Sequence, residues 1–130
     1  MFSRENKDKL WGRTGKTARQ LVIEFSEEQK KVRGQNLWAR MVDEELEVPR
    51  RPDLLVVTDL GFDAEWDYFR ERYPSQLIRI VRKGTDYSND SRQQIDADPS
   101  MIHTIVNDGS LDDLRIASQF LCEQITTDLS

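Results

Sequence analysis

Three places in the chain carry residue types that can do chemistry. The first is Gly12-Arg13-Thr14-Gly15-Lys16-Thr17, because a phosphate-cradling P-loop ends in Gly-Lys-Thr. Such a loop turns successive backbone N–H groups onto the phosphates and needs a Gly five residues before the Gly-Lys pair, launched from a buried strand. The required position is Leu10, and Arg4-Glu5-Asn6-Lys7-Asp8-Lys9 before it is no buried strand, so a basic turn leading into a helix is the better reading. The second place is Asp59, which follows an apolar run. There a carboxylate can hold a Mg²⁺-bound water beside a nucleotide phosphate, or it can cap the helix that follows. The third is the lone pair His103 and Cys122: one of each builds neither an internal disulfide nor a Cys/His zinc site. His103, at the start of a strand, reads as structural or surface, and Cys122, with no cation within a turn, as a core or boundary residue and not a nucleophile.

Charge narrows the classes of ligand. The 130 residues hold 19 Lys/Arg and 24 Asp/Glu, a net charge of −5, but the first 40 hold ten of the basic residues against five acids. A basic segment on an acidic body meets phosphate, on a nucleotide, a nucleic acid or an acidic partner; a solvated helix face is the bland equivalent. Trp11, set among Lys9, Arg13 and Lys16, can stack on a base, dock on a partner or pack back on the domain. No apolar run approaches the roughly 18 residues that span a bilayer, and Met1 to Gln20 hold no signal-peptide core. The expectation is a soluble cytoplasmic protein with no membrane partner.

The elements that must position these residues follow from periodicity. Residues 1–15 read as a basic arm or loop, and residues 16–130 as a single α/β domain. Within 16–48 the spacing predicts a helical hairpin: a short helix from Thr17, its N-cap, to about Phe25, then one from about Gln35 to Glu47, ended by Pro49 and Pro52. Leu37, Trp38, Met41, Val42 and Leu46 make the stripe of the second. Within 53–130, Leu54-Leu55-Val56-Val57 predicts a strand covered on both faces, and Phe62, Trp66, Phe69 and Tyr73 a helix. Leu77 to Val81 and Met101 to Val106 predict two more strands. Leu111, Leu114, Ala117, Leu121 and Ile125 predict a last helix capped by Ser110. Strands interleaved with helices imply a three-layer α/β fold around a short parallel sheet of about three strands, with ligands at the strands' carboxyl ends. Those ends are Asp59, Arg82 and Asn107-Asp108-Gly109. The segment 83–100, eighteen residues long and carrying Arg92, reads as a lid-like loop.

Val56-Val57-Thr58-Asp59-Leu60-Gly61-Phe62-Asp63-Ala64-Glu65, Leu77-Ile78-Arg79-Ile80 and Ile105-Val106-Asn107-Asp108-Gly109-Ser110-Leu111-Asp112-Asp113-Leu114 together resemble the C-terminal portion of phage-type deoxynucleoside monophosphate kinases, of the adenylate-kinase-like P-loop fold. Lys16-Thr17-Ala18-Arg19-Gln20-Leu21 and Gly34-Gln35-Asn36-Leu37-Trp38 resemble the helical substrate-side segment of the same family. The resemblance spans residues 16 to 125, and its most specific part is Val-Asn-Asp-Gly-Ser-Leu. It implies a phosphate-side arginine at Arg19 and a second at Arg33, an acidic residue beside metal and phosphates at Asp59, an acid opening the next helix at Glu65, lid-flanking Arg82 and Arg92, and Asn107-Asp108-Gly109 near the purine of the donor. The family places an arginine two residues after the strand-end Asp, where this chain has Gly61.

The family also begins with a strand and a true P-loop, which this chain is expected to lack. Without that cradle, positioning for phosphoryl transfer is missing, so the expectation is a truncated P-loop-kinase-like module that binds a nucleotide or phosphate and has no kinase activity alone. No cofactor is required, with Mg²⁺ at Asp59 the one candidate. The partners implied are a nucleoside monophosphate and a homodimer or strand-donating chain; nucleic acid ranks behind them. The alternatives are a non-catalytic scaffold that dimerises through the old fold, and one subunit of a split nucleotide kinase.

Overall fold

In the computed structural model, residues 10–11, 15–46, 52–90 and 92–129 are described. Two compact units divide the chain, residues 1–55 and 56–130. The expected arm over 1–15 lies outside the described residues except for Leu10, Trp11 and Gly15, as do Glu47 and Pro49 of the predicted helix end.

In the first unit, β1 (Leu10–Trp11) and β2 (Lys16–Thr17) form a short antiparallel ribbon, Leu10 opposite Thr17 and Trp11 opposite Lys16. Thr17 then starts α1 (Ala18–Arg33) with a reciprocal cap: its hydroxyl accepts from Gln20 N at 3.1 Å while Gln20 Oε1 accepts from Thr17 N at 2.8 Å. The helix outruns its expected end at Phe25. Apolar periodicity fades there, but Glu27 to Lys31 are all strong helix formers, and Lys30 pairs with Glu27 at 2.8 Å one turn back. Gly34, at φ 106°, stops it where an L side chain would be strained. α2 (Leu37–Glu45) is shorter than expected and turned differently: Leu37, Ala39 and Asp43 are buried, whereas Met41 and Val42 of the predicted stripe are exposed. Val22 and Phe25 of α1 are exposed as well. Trp38 ties the two helices, its Nε1 donating to Ser26 Oγ at 2.9 Å.

The second unit corrects the expected sheet. Leu54 to Val57 take no strand conformation, and Leu54 and Val56 are 61% and 70% exposed rather than covered. The run has the composition of a strand, but a strand exists only where a neighbouring backbone satisfies it, and among the described residues none pairs here. The parallel sheet therefore has two strands, not about three: β3 (Leu77–Val81) and β4 (Ile102–Val106), in register from Leu77–Ile102 to Val81–Val106. With α3 (Asp63–Arg72) and α4 (Leu111–Leu129), the described residues make a mixed α/β protein of four helices with a small two-strand parallel sheet.

The core of this unit is Trp66, Leu77 and Ile95, with Leu60, Ala97, Met101 and Ile102 packed around them. Trp66 and Phe69 are buried as the α3 spacing predicts, while Phe62 and Tyr73 cap the helix in extended conformation. Ile95 was unforeseen, because it lies inside the segment read as a lid. That segment is divided. Its inner half is docked: Gln93 N donates to Gly61 O at 3.0 Å, and Asp63 accepts from Gln93 Nε2 at 2.6 Å and from Asp96 N at 2.8 Å. Arg79 Nη2 adds a bond to Ile95 O at 2.7 Å. The outer half, residues 83–90, is exposed and held by local turns through Asp86 and Ser88. α4 packs Leu121 inward, with Leu114, Ala117 and Ile125 half-buried, but Leu111 of the predicted stripe is 85% exposed. No helix among the described residues is long and apolar enough to cross a membrane.

Candidate functional site

The six residues expected to bind phosphate fall on both units. Arg19 stands in the first turn of α1 and Arg33 ends that helix, both exposed, and the Arg33 carbonyl accepts from Arg40 Nη2. The Gly-Lys-Thr triplet beside them is engaged otherwise: Lys16 is in β2 with its Nζ 2.6 Å from Glu24 Oε2, and Thr17 is the cap. Gly12, Arg13 and Thr14 lie outside the described residues.

Asp59, Arg82, Arg92 and Asn107 belong to the second unit and form two groups. The first joins residues far apart in sequence. Arg92 lays its aliphatic stem over Gly61, so closely that a Cβ on Gly61 would lie 2.5 Å from Arg92 Cγ and 2.8 Å from Cδ. Asp90 holds the head by two bonds, from Arg92 Nε at 3.1 Å and Nη2 at 2.8 Å. Those bonds and the charge of Asp90 raise the Arg92 pKa above its ordinary value, with smaller contributions from Tyr87 and Asp59. The guanidinium that the resemblance expects at position 61 is absent, and Arg92 occupies the space in which a side chain there would begin. No signal in the sequence links the two positions.

The second group closes the carboxyl ends of the two strands. Asn107 N donates to Val81 O at 2.7 Å, extending the ladder, and Lys83 N donates to Asp108 Oδ1 at 2.6 Å. Arg82 and Lys83 are exposed there and Asn107 is half-buried. Asp108 lies in the expected strand end Asn107-Asp108-Gly109, whereas Lys83 was not among the expected residues, although it adjoins Arg82. α4 starts three residues later under a reciprocal cap, Asp113 N donating to Ser110 Oγ at 3.1 Å and Ser110 N to Asp113 Oδ2 at 2.9 Å. Ser110 N–H, then its hydroxyl, hold the Asp113 carboxyl below the usual range.

Asp59 is not the cap of α3: the helix starts after Phe62, and Glu65 Oε2 takes the Gly61 N–H at 3.1 Å. No three His, Cys, Asp or Glu residues among those described are grouped to hold a metal. Asp59 has a guanidinium for a charged neighbour, so a Mg²⁺ there would depend on oxygens brought by a phosphate ligand. His103 is half-buried on β4, its Nε2 3.0 Å from Gln76 Oε1, and Cys122 is exposed on α4 rather than in the core.

The fold and these groups define the class only coarsely, as a mixed α/β protein with charged side chains at the carboxyl edge of a small parallel sheet. No family model, no curated protein and no solved structure matches the chain.

Proposed function

We propose that this chain is a nucleotide- or phosphate-binding module, a three-layer relative of the deoxynucleoside monophosphate kinases that does not transfer phosphate by itself. The observation that carries the reading is Arg92, pinned by Asp90 over the bare face of Gly61 with Asp59 as a further charge. A guanidinium fixed in this way loses little freedom on taking a phosphate, which would meet its outer edge, Nη1 and the second Nη2 N–H, since Nε and the first Nη2 N–H are given to Asp90. Arg82 and Asn107, at the strand ends, are the next residues such a ligand would meet. Arg19 and Arg33 belong to the same proposal through the resemblance alone. Mg²⁺ would accompany the phosphate and is not a resident ion. The Gly-Lys-Thr triplet, spent on a ribbon and a helix cap, offers no phosphate cradle for transfer.

The test is a thermal-shift titration with the four deoxynucleoside monophosphates and ATP. A ligand at about a hundred times its Kd stabilises the native state by roughly 2.7 kcal/mol, several degrees for a chain of this size. The expected result is a shift with a monophosphate that Arg92→Ala removes. No shift at millimolar ligand overturns the reading.

A second reading has its own observation. Ile78 and Ile80 of β3 are 41% and 59% exposed, while Ile105 beside them on β4 is 6% exposed. One strand of the sheet is bare where its neighbour is covered, as expected of a scaffold that dimerises or accepts a strand from a partner.

A further inference from the structure

The parallel sheet ends in an edge whose backbone is unfilled. Val81 O accepts from Asn107 N, so Val81 turns its backbone groups toward β4, and by the alternation of a strand Leu77 and Arg79 do the same. Ile78 and Ile80 therefore point their N–H and C=O groups away from β4. Among the described residues nothing bonds to them. An edge of this kind is a template for one more strand. Both of its faces are apolar, with exposed Ile78 and Ile80 on one and Leu77 and Val81 on the other. A strand laid here meets apolar side chains on both sides, so an all-apolar run suits it better than an alternating one.

The chain itself holds such a run. Leu54-Leu55-Val56-Val57 is apolar at every position, and among the described residues its backbone makes no hydrogen bond. Leu54, Leu55 and Val56 are exposed. Within one copy, then, a strand lacks a sheet and a sheet lacks a strand. Charge matches the two. From Asp53 to Asp59 there are two acids and no base, whereas from Leu77 to Lys83 there are three bases (Arg79, Arg82 and Lys83) and no acid. Opposite charges on neighbouring strands stabilise their pairing, and like charges oppose it. Run parallel to β3, the segment brings Asp59 beside Arg82 and Lys83; run antiparallel, it brings Asp53 there. Two β3 edges laid together would instead set bases against bases.

We propose that β3 takes Leu54–Val57 of a second copy as its next strand, each copy giving one segment and receiving one. Reciprocal exchange fills both edges at once and closes with two-fold symmetry instead of growing into a fibre. The exchange rests on the scaffold reading and names the segment that fills the bare strand's edge.

The test uses the full-length chain. Isotope-labelled and unlabelled protein are mixed in equal amounts while dilute and then concentrated, and isotope-filtered NOE spectra record contacts between copies only. Contacts are expected between the methyl groups of Leu54–Val57 in one copy and those of Leu77–Val81 in another. The Ile78 and Ile80 amides are expected to exchange about tenfold more slowly in the concentrated sample than in the dilute one. Leu54→Lys with Val56→Lys, both at exposed positions, is expected to weaken association about tenfold through the loss of apolar cross-strand pairs, with the folded spectrum retained. If that variant does not fold, the spectra of the unaltered chain decide alone. Association without these contacts and this protection, or with the contacts found within one chain only, overturns the exchange and leaves the scaffold reading in place. Association indifferent to the double substitution does the same. A chain that stays monomeric at millimolar concentration overturns both.

Discussion

At the scale of single residues, the decisive contact is Arg92 on Gly61. A methyl group at position 61 would meet Arg92 Cβ at 3.0 Å as well as the outer stem, so the backbone of the 83–100 segment must yield along with the side chain. Overpacking of this kind typically costs about 1–3 kcal/mol. Gly61→Ala is therefore expected to lower stability by about 1 kcal/mol and Arg92→Ala by less, while the double variant recovers part of the loss because the two closest clashes, with Cγ and Cδ, are gone and only the Cβ contact is left. Urea denaturation of the four proteins of this cycle is the measurement, and strict additivity would sink the account. None of this was legible beforehand, since nothing local in Asp59-Leu60-Gly61 announces a stem arriving from Arg92. The caps were legible for the opposite reason: Thr17 and Ser110 act on N–H groups three residues away.

At the scale of elements, Asp63 joins α3 to the docked half of the 83–100 segment through two bonds. Asp63→Ala strips the acceptor from Gln93 and Asp96, with an expected loss of about 1–3 kcal/mol. Amide exchange should quicken at residues 93–96 while α4 is unaffected, and unchanged exchange there would count against the tie. α4 has its own dependence on pH. The Asp113 carboxyl is held below its ordinary range, so its contribution is full at neutral pH and is lost as pH falls through the folded value, on the acid side of about pH 4. Asp86 and Asp98, each bonded to a serine two residues on, have the same sign. Asp113→Asn is expected to flatten the acid limb of the stability profile, and Ser110→Ala to cost about 1 kcal/mol at pH 7. Helices and paired strands could be read from the sequence because their patterns are periodic; β3 matches its expected bounds, and β4 starts one residue later. Leu54 to Val57 misled because apolar composition signals a strand without supplying its partner.

At the scale of the whole molecule, the exposed apolar residues are what the scaffold reading rests on. Ile78, Ile80 and Val106 lie on the sheet, and Ile116 and Phe120 stand on α4, all more than 40% exposed. The scaffold reading expects a concentration-dependent increase in mass by analytical ultracentrifugation, reversed by Ile80→Lys, which puts a charge on the bare strand. A monomer at every concentration would remove that reading and leave the nucleotide reading as it stands. Charge was legible at this scale, since the basic excess of the first 40 residues is a matter of counting. The sharing of the expected site over two units was not, because the spacing of arginines along a chain carries no information on how the chain divides.

The division of the 83–100 segment has a further consequence, for how such a chain can change. Its inner half is committed to the core through Ile95, while residues 82–89 cross from β3 in exposed turns held by local bonds and by the strand ends, as far as Asp90, which grips Arg92. Closing a longer connection costs little, about 0.6 kcal/mol for each doubling of its length. Gly84, at φ 80° with open space around it, already makes a reversal there. New sequence, even a whole inserted domain, can enter beside Gly84 without disturbing the packing beneath. That is where evolution, or an engineer, can lengthen this protein most cheaply.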